Sequence, residues 1–551
     1  MFKSSLKLFA LIIVVFQLFV SQLHSQQWIK TLSGSANGDD RVTNAVTDKA
    51  GNLYETGYVT RTGTGIDFCT VKYNSEGTQQ WVAYYNNPQV NGEDKAFGIA
   101  VDNAGNVYIT GYSAGIGSSF DYATVKYNSS GAQQWVQRYD SPANSDDKAF
   151  GIAVDNAGYV YVTGYVTLAS TDIFTIKYTP AGVLSWNRLV TGNGAGDSKA
   201  FGIATDGINV YVTGYVTDST SGTDIALIKY DSSGNTLWSK TYNGPGNSDD
   251  RAFGIAQDDG HASVFIFGYS SGNATGTDAT LIKYNAVTGD SLWVARYNGT
   301  GNADDKALGI AVDHLGNSYI TGSATDTASG TDYITMKYDP NGNRQWIGVY
   351  TGTGENEDVA SDIVVPKQGN YVYVTGYSKS DTSALSEDMV TVKYSVSSGD
   401  QLQVNKYAGS FGGSDVGVKV VADTSGNVII AGYTQVGAAN YDWITRKFPL
   451  GDIISVSPIS TIVPKDYSLY QNFPNPFNPS TKIKFDIKKA GIVKLIVFDV
   501  LGREVASLAN QYMAPGSYEA TVNLANLSSG VYFYKLTAGD YSEIKKMVLL
   551  K

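Results

Sequence analysis

The chain repeats itself. A block with a period of 50 to 56 residues recurs eight times, marked by one glycine per copy: Gly57, Gly111, Gly164, Gly214, Gly268, Gly322, Gly376 and Gly432. The best-kept copies read AFGIAVDNAGNVYITGY from Ala96, AFGIAVDNAGYVYVTGY from Ala149 and AFGIATDGINVYVTGY from Ala200. A unit this short cannot bury its own apolar face, so successive copies must share their cores.

Within the second copy, alternation of apolar residues predicts strand a over Ala96–Asp102, b over Val107–Tyr112, c over Asp121–Tyr127 and d over Gln133–Tyr139. Asn103-Ala104-Gly105-Asn106 and Asn128-Ser129-Ser130-Gly131 supply the turns, where glycine and Asx residues permit positive φ. Four short strands per repeat describe a propeller blade; a stacked β-solenoid has a shorter period and needs caps. Strand d carries a tryptophan: Trp81, Trp135, Trp186, Trp238, Trp293 and Trp346, with Gln403 in its place further on. Trp28 precedes the first strand a, whereas the eighth copy has a, b and c (Val418–Asp423, Val428–Tyr433, Asp442–Phe448) but no d. Gln26–Leu32 is expected to fill that place. The expected fold is an all-β, eight-bladed β-propeller over residues 26–450, closed by the N-terminal strand so that no sheet edge is left free.

Three further positions recur in the copies. An aspartate opens strand c (Asp67, Asp121, Asp172, Asp224, Asp278, Asp332, Asp388, Asp442), and a lysine follows five residues later (Lys72, Lys126, Lys177, Lys229, Lys283, Lys337, Lys393, Lys447). With the tryptophan, these read as residues that hold blades together: the aspartate satisfying turn amides, the lysine pairing with a carboxylate or carbonyl. The repeated glycine reads as a close approach between packed sheets. A catalytic group is needed once, not eight times. Cys69 aligns with mostly apolar residues and reads as core; a single cysteine allows no internal disulfide. His261 and His314 lie alone in a–b turns, without metal or triad spacing. No P-loop, dinucleotide fingerprint or nucleophile elbow occurs. No catalytic or cofactor-binding residue is therefore assigned.

The net charge is −11 and the acid is concentrated between the two ends. Such a body argues against nucleic acid and anionic lipid as partners. Part of that acid precedes each strand a: Asp40, Asp94, Asp147, Asp250, Asp305 and Asp358. In a propeller these would ring one mouth of the axis, as hard oxygen ligands for a cation such as Ca²⁺, or as capped turns and ion pairs with the basic residue that follows in most copies.

At the N-terminus, Lys3 and Lys7 precede an apolar stretch from Leu8 to Val20, the pattern of a signal peptide over residues 1–25. No other stretch approaches the ~20 apolar residues of a membrane helix. At the other end, residues 451–466 read as an extended linker. Residues 467–551 then alternate through Lys482–Ile487, Ile492–Asp499, Gly516–Asn523, Val531–Ala538 and Lys545–Leu550, a small β-sandwich pattern.

The repeated TGY, D-x-x-T-x-K-Y and SG-x-x-x-W elements resemble the β-propeller repeat (SBBP-type) family of large bacterial exported proteins, whose name refers to seven blades; the copy count here is eight. The run Lys283–Trp293 is similar to the tryptophan-docking repeat of eight-bladed quinoprotein dehydrogenases. The C-terminal segment resembles the type A sorting domain of the type IX secretion system of Bacteroidetes-like bacteria. The matching residues are Pro474, Asn475, Pro476, Phe477, Asn478 and Pro479 of NFPNPFNP, Gly502 of VFDVLGRE, Gly530 of SGVYFY, and the terminal KKMVLLK. This resemblance implies export to the periplasm and recognition by the type IX machinery at the outer membrane. Removal of the domain would follow, with the cargo released or attached to surface polysaccharide. Three functional readings stand at this point. The first is a non-catalytic binding or surface-structural module for a polysaccharide or protein ligand. The second is an extracellular polysaccharide hydrolase or lyase, and the third a quinoprotein-like oxidoreductase. A deep unrepeated pocket lined by carboxylates would favour the second, and quinone binding the third.

Overall fold

The computed structural model describes residues 28–117, 119–352, 357–367, 370–379, 386–448, 456–460, 463–513, 515–524 and 527–551; the expected signal peptide lies outside them. All regular structure among these residues is β-strand.

Residues 28–448 form eight four-stranded antiparallel sheets, each ordered a-b-c-d. In the second sheet the strands are Asp94–Val101, Val107–Ala114, Phe120–Tyr127 and Gln133–Tyr139. The eighth sheet takes Asp415–Ala422, Val428–Gly437 and Asn440–Phe448 from its own repeat, and its fourth strand is Trp28–Leu32. That strand runs antiparallel to Asn440–Phe448, with Trp28 opposite Lys447 and Leu32 opposite Trp443. Strand a of each sheet packs against strand a of the next, and the eighth against the first.

The repeated glycine works first within its own sheet, and in three copies also against the preceding one: a Cβ on Gly164, Gly376 or Gly432 would lie 2.6–2.8 Å from Tyr122, Tyr333 or Met389. Strand a carries a β-bulge in every sheet, at Thr43, Phe97, Phe150, Phe201, Phe253, Leu308, Ser361 and Val418. A bulge brings extra backbone against the neighbouring strand and re-aims the bulged side chain. Opposite each bulge stands the strand-b glycine. A Cβ on Gly111 would lie 2.0 Å from the Lys95 carbonyl oxygen, and one on Gly268 1.9 Å from that of Arg251. Glycine is required there because backbone already occupies the space.

Tryptophan and lysine dock each sheet onto the next. The indole N–H of Trp135 donates to the Pro180 carbonyl at 3.2 Å, and Lys126 Nζ donates to the same oxygen at 3.0 Å. Trp186 with Lys177 on Ser232, Trp293 with Lys283 on Pro340, and Trp346 with Lys337 on Val396 repeat the arrangement. The accepting carbonyl belongs to the c–d turn of the following sheet. The glycine of that turn has positive φ, and a Cβ there would lie 2.6–2.8 Å from the indole, as at Gly131, Gly182 and Gly399. The eighth sheet meets the first in the same way: Trp28 packs on Gly77, and Lys447 Nζ donates to the Ser75 carbonyl at 2.8 Å. The Trp28 indole N–H has no hydrogen-bond partner among the described residues. Cys69 is fully buried in the apolar cluster that the eighth sheet shares with the first.

The C-terminal region holds two four-stranded sheets. One orders Val456–Ser460, Gly516–Asn523, Ser480–Ile487 and Ser468–Leu469; the other orders Glu504–Met513, Gly491–Phe498, Gly530–Ala538 and Tyr541–Leu549. Residues of both, among them Ile483, Phe485, Leu495, Tyr534 and Met547, share one buried cluster. Val456–Ser460, read from the sequence as linker, pairs with Gly516–Asn523.

Candidate functional site: the face where the first strands converge

The bulges aim one side chain per sheet at the surface formed by the eight strands a. In sheets two to five this residue is phenylalanine, and the rings abut in an arc: Phe97–Phe150 at 5.4 Å, Phe150–Phe201 at 5.4 Å and Phe201–Phe253 at 6.4 Å between centroids. The arc ends there. Leu308, Ser361, Val418 and Thr43 occupy the position in the other four sheets.

Two residues before each bulge stands a cation in sheets one to six, Arg41, Lys95, Lys148, Lys199, Arg251 and Lys306; sheets seven and eight have Val359 and Val416. Each cation lies over an aromatic ring of the preceding sheet: Lys95 over Tyr58 and Lys148 over Tyr112, both at 4.7 Å, Arg251 over Tyr215 at 4.6 Å, and Arg41 over Tyr433 at 4.5 Å. Five of the six, Arg41, Lys95, Lys148, Lys199 and Arg251, also pair with the acid two residues upstream, as in Lys95–Glu93 at 3.2 Å, Lys148–Asp146 at 3.1 Å and Lys199–Asp197 at 2.9 Å. The rim is therefore a chain of acid, cation and tyrosine in local charge balance.

The six aspartates considered as cation ligands sit between these pairs and turn inward. Asp40, Asp94, Asp147, Asp250, Asp305 and Asp358 are all buried. Asp147 accepts the Ser141 N–H at 2.6 Å on one oxygen and the Thr167 N–H at 3.0 Å on the other. Asp94 does the same with Asn87 and Ala114, both at 3.2 Å, and Asp305 with Gly299 and Thr325. Five of the carboxylates tie the d–a connection to the far end of strand b, whereas Asp358 accepts the Gly352 N–H on one oxygen and its other oxygen has no hydrogen-bond partner among the described residues. In the fourth sheet Ser198 takes the place, its Oγ accepting the Thr217 N–H. Burial outweighs these amide bonds and pushes Asp40, Asp94, Asp147, Asp250 and Asp305 up to about 6. Oxygens committed to amides on separate sheets do not fit a Ca²⁺ cradle, and no group of three or more His, Cys, Asp or Glu among the described residues is placed to hold a metal. His261 and His314 are exposed.

The strand-c aspartates brace the b–c turn or an arginine of strand d: Asp224 accepts from Ser221 Oγ at 3.0 Å, and Asp121 pairs with Arg138 at 2.7 Å. The sequence reading missed the pocket that opens where the phenylalanine arc stops. It is a depression of about 390 Å³ between the eighth, first and second sheets, lined by Val418, Thr43 and Phe97 together with Tyr58, Tyr112 and Tyr433. The signal was present: the residue after Ala96, Ala149, Ala200 and Ala252 is phenylalanine, and the corresponding residue elsewhere is not.

In the C-terminal region the motif Pro474–Pro479 lies along the last strand. Phe477 is buried in the shared cluster; its N–H donates to the Val548 carbonyl and its carbonyl accepts from the Leu550 N–H, both at 2.9 Å. Asn475 Oδ1 accepts the Val548 N–H at 2.9 Å, and the Pro479 carbonyl accepts the Leu524 N–H at 3.0 Å. Pro474, Pro476 and Asn478 are exposed. Gly502 has positive φ in the turn closed by Asp499, and Gly530 opens the strand Gly530–Ala538.

Residues 80–117, 134–165 and 293–327 match the beta-propeller repeat family, and residues 471–550 match the secretion system C-terminal sorting domain. The regulatory protein FlaEY of Caulobacter vibrioides is 29% identical over 168 residues, a match that takes in 26% of this chain and 17% of that protein's length. Among solved structures, a quinohemoprotein alcohol dehydrogenase of Pseudomonas putida HK5 shows 12% identity and a TM-score of 0.42 over 80% of each chain. The polysaccharide lyase Uly1 shows 12% identity and a TM-score of 0.40, covering 75% of this chain and 100% of its own. Likeness this remote carries no activity across. What the family matches carry is narrower and firm: the chain is a β-propeller-repeat protein bearing the sorting domain by which type IX secretion exports its cargo to the cell surface or the extracellular space.

Proposed function

We propose that this chain is a non-catalytic binding module for use outside the cell: a closed, eight-bladed propeller carried across the outer membrane by a C-terminal β-sandwich. The use of Trp28, Gly77, Lys447 and Ser75 at the last junction, as in the others, supports closure. The cluster shared by the two C-terminal sheets supports a sandwich. The observation that carries the functional reading is the state of the ionisable groups on the converging face. The inner carboxylates clamp backbone amides and the outer ones neutralise cations. A general acid–base pair needs carboxyl groups free to exchange protons with a substrate. What the face offers is an aromatic and charge-balanced surface, which suits recognition.

The test separates binding from turnover. Purified exported protein is incubated with insoluble polysaccharides and with surface-protein extracts; depletion from the supernatant reads binding, and release of new reducing ends reads cleavage. The expected result is depletion by at least one target without cleavage. Catalytic release of reducing ends, or no depletion by any target, would overturn the reading.

A further inference from the structure

We propose that the depression at the break in the phenylalanine arc is a site for a neutral saccharide ring. This rests on the binding-module reading and assigns its ligand class and place. The residues at the break shape the site: Val418 and Thr43, both smaller than phenylalanine, line a depression of about 390 Å³ beside Phe97. That volume lies within the range of small-ligand pockets. Of the lining rings, Tyr58 and Tyr112 are buried, whereas Phe97 and Tyr433 are half-buried and present apolar surface suited to the C–H face of a pyranose. The edge carries hydrogen-bonding groups of both kinds. Arg41 is held between the Tyr433 and Tyr441 rings at 4.5 and 4.7 Å, and Tyr112 donates its hydroxyl to Glu93 at 2.8 Å.

Charge decides between ligand classes. Arg41 already pairs with Asp39 at 2.5 Å and Lys95 with Glu93 at 3.2 Å, so neither cation offers net charge to an anionic sugar. These four side chains are still 19–35% exposed, enough to exchange hydrogen bonds with hydroxyl groups at the rim. A purely apolar ligand would have to desolvate them without return. A neutral, polyhydroxylated ring with one apolar face satisfies both the lining and the rim.

The test is calorimetric titration of the exported protein with neutral hexasaccharides (cello-, laminari-, xylo- and manno-) and, in parallel, with oligogalacturonate. Val418→Phe places at the break the residue that four other sheets carry at this position, so it puts a ring into the depression across Thr43 from Phe97. Phe97→Ala removes the platform, and Phe201→Ala alters the arc away from the depression. Thermal melting of each variant establishes that it is folded. The expected result is binding of at least one neutral oligosaccharide, weakened roughly tenfold or more by Val418→Phe and by Phe97→Ala and unchanged in Phe201→Ala. Neutral-sugar binding that folded Val418→Phe leaves intact would overturn this site while leaving the binding-module reading standing. So would binding of oligogalacturonate alone. Absence of binding to every oligosaccharide would also overturn it, and the depletion experiment then decides the broader reading by itself.

Discussion

At the scale of single residues, what recurs in every copy is what the backbone geometry demands. The strand-b glycine is the plainest case. Gly111→Ala puts a methyl group 2.0 Å from the Lys95 carbonyl, which only a shift of the bulge relieves. The expected cost is about 1–3 kcal/mol, measured by denaturant unfolding. Because the bulge also aims Phe97, the same substitution should perturb the converging face; unaltered stability would mean that the bulge is soft. The buried aspartates make a pH-dependent contribution of defined sign. Burial holds their carboxyl groups at about 6 in the folded state against 3.8 for an unperturbed aspartate, so folding takes up protons between those values. Their ionisation penalty is therefore present at pH 7 and relieved as pH falls. Thermal melts should show a higher Tm at pH 5 than at pH 7, and Asp147→Asn should shrink that difference. Carboxylates such as Asp48 and Asp102, which burial opposes but turn hydrogen bonds hold below the usual range, remain ionised throughout this window.

At the scale of strands and turns, most of the second sheet was legible from the sequence. Alternation located its four strands, and turn residues located the breaks between them. The role of the repeated lysine was legible only as an alternative, since whether it meets a carboxylate or a carbonyl depends on where the next sheet's turn lies. The bulges were not legible: a bulge is a register shift between two strands, and AFGIAV reads the same with or without one. That is why the converging face was first read through its acids, although its shape is set by the residue the bulge displaces. In the C-terminal region Val456–Ser460 was read as linker because its strand partner, Gly516–Asn523, is remote in sequence. The strand Trp28–Leu32 is the element on which closure turns. Without it the outer edge of Asn440–Phe448 is unpaired and the Trp28–Gly77 contact is lost. Deleting Trp28–Leu32 should lower the Tm sharply or cause aggregation through the exposed edge. An unchanged Tm and monomeric elution on size-exclusion chromatography would count against it.

At the scale of the whole molecule, the proposed propeller is a ring of near-identical units that differ most at one place. Identity among repeats serves assembly, because seven of the eight junctions pack a strand-d tryptophan on a turn glycine; the seventh sheet, with Gln403 in the tryptophan's place, is the exception. Departure from identity is where we place recognition, because a depression lies where the phenylalanine arc stops at Phe97. The eighth sheet lies at both: it holds the two ends of the propeller chain together, and its Val418 helps line the depression. Its junctions also carry two buried ionisable groups, Glu55 and Arg446, where the other copies have apolar residues. Thr445 donates its hydroxyl to Glu55 at 2.7 Å toward the first sheet, and Arg446 donates to Asn405 at 2.8 Å toward the seventh. The measurement that bears most directly on this account is whether the chain ends meet within one molecule. Lys30 and Thr445 stand opposite one another in register, while Cys69 is buried away from solvent. Replacing both with cysteine places the thiols at a separation a disulfide can span. The account predicts that Lys30→Cys/Thr445→Cys forms an intramolecular disulfide in the native protein, seen as a monomer of altered mobility on a non-reducing gel and absent from either single variant. No disulfide, or one formed only between molecules, would contradict a ring closed by its own N-terminal strand.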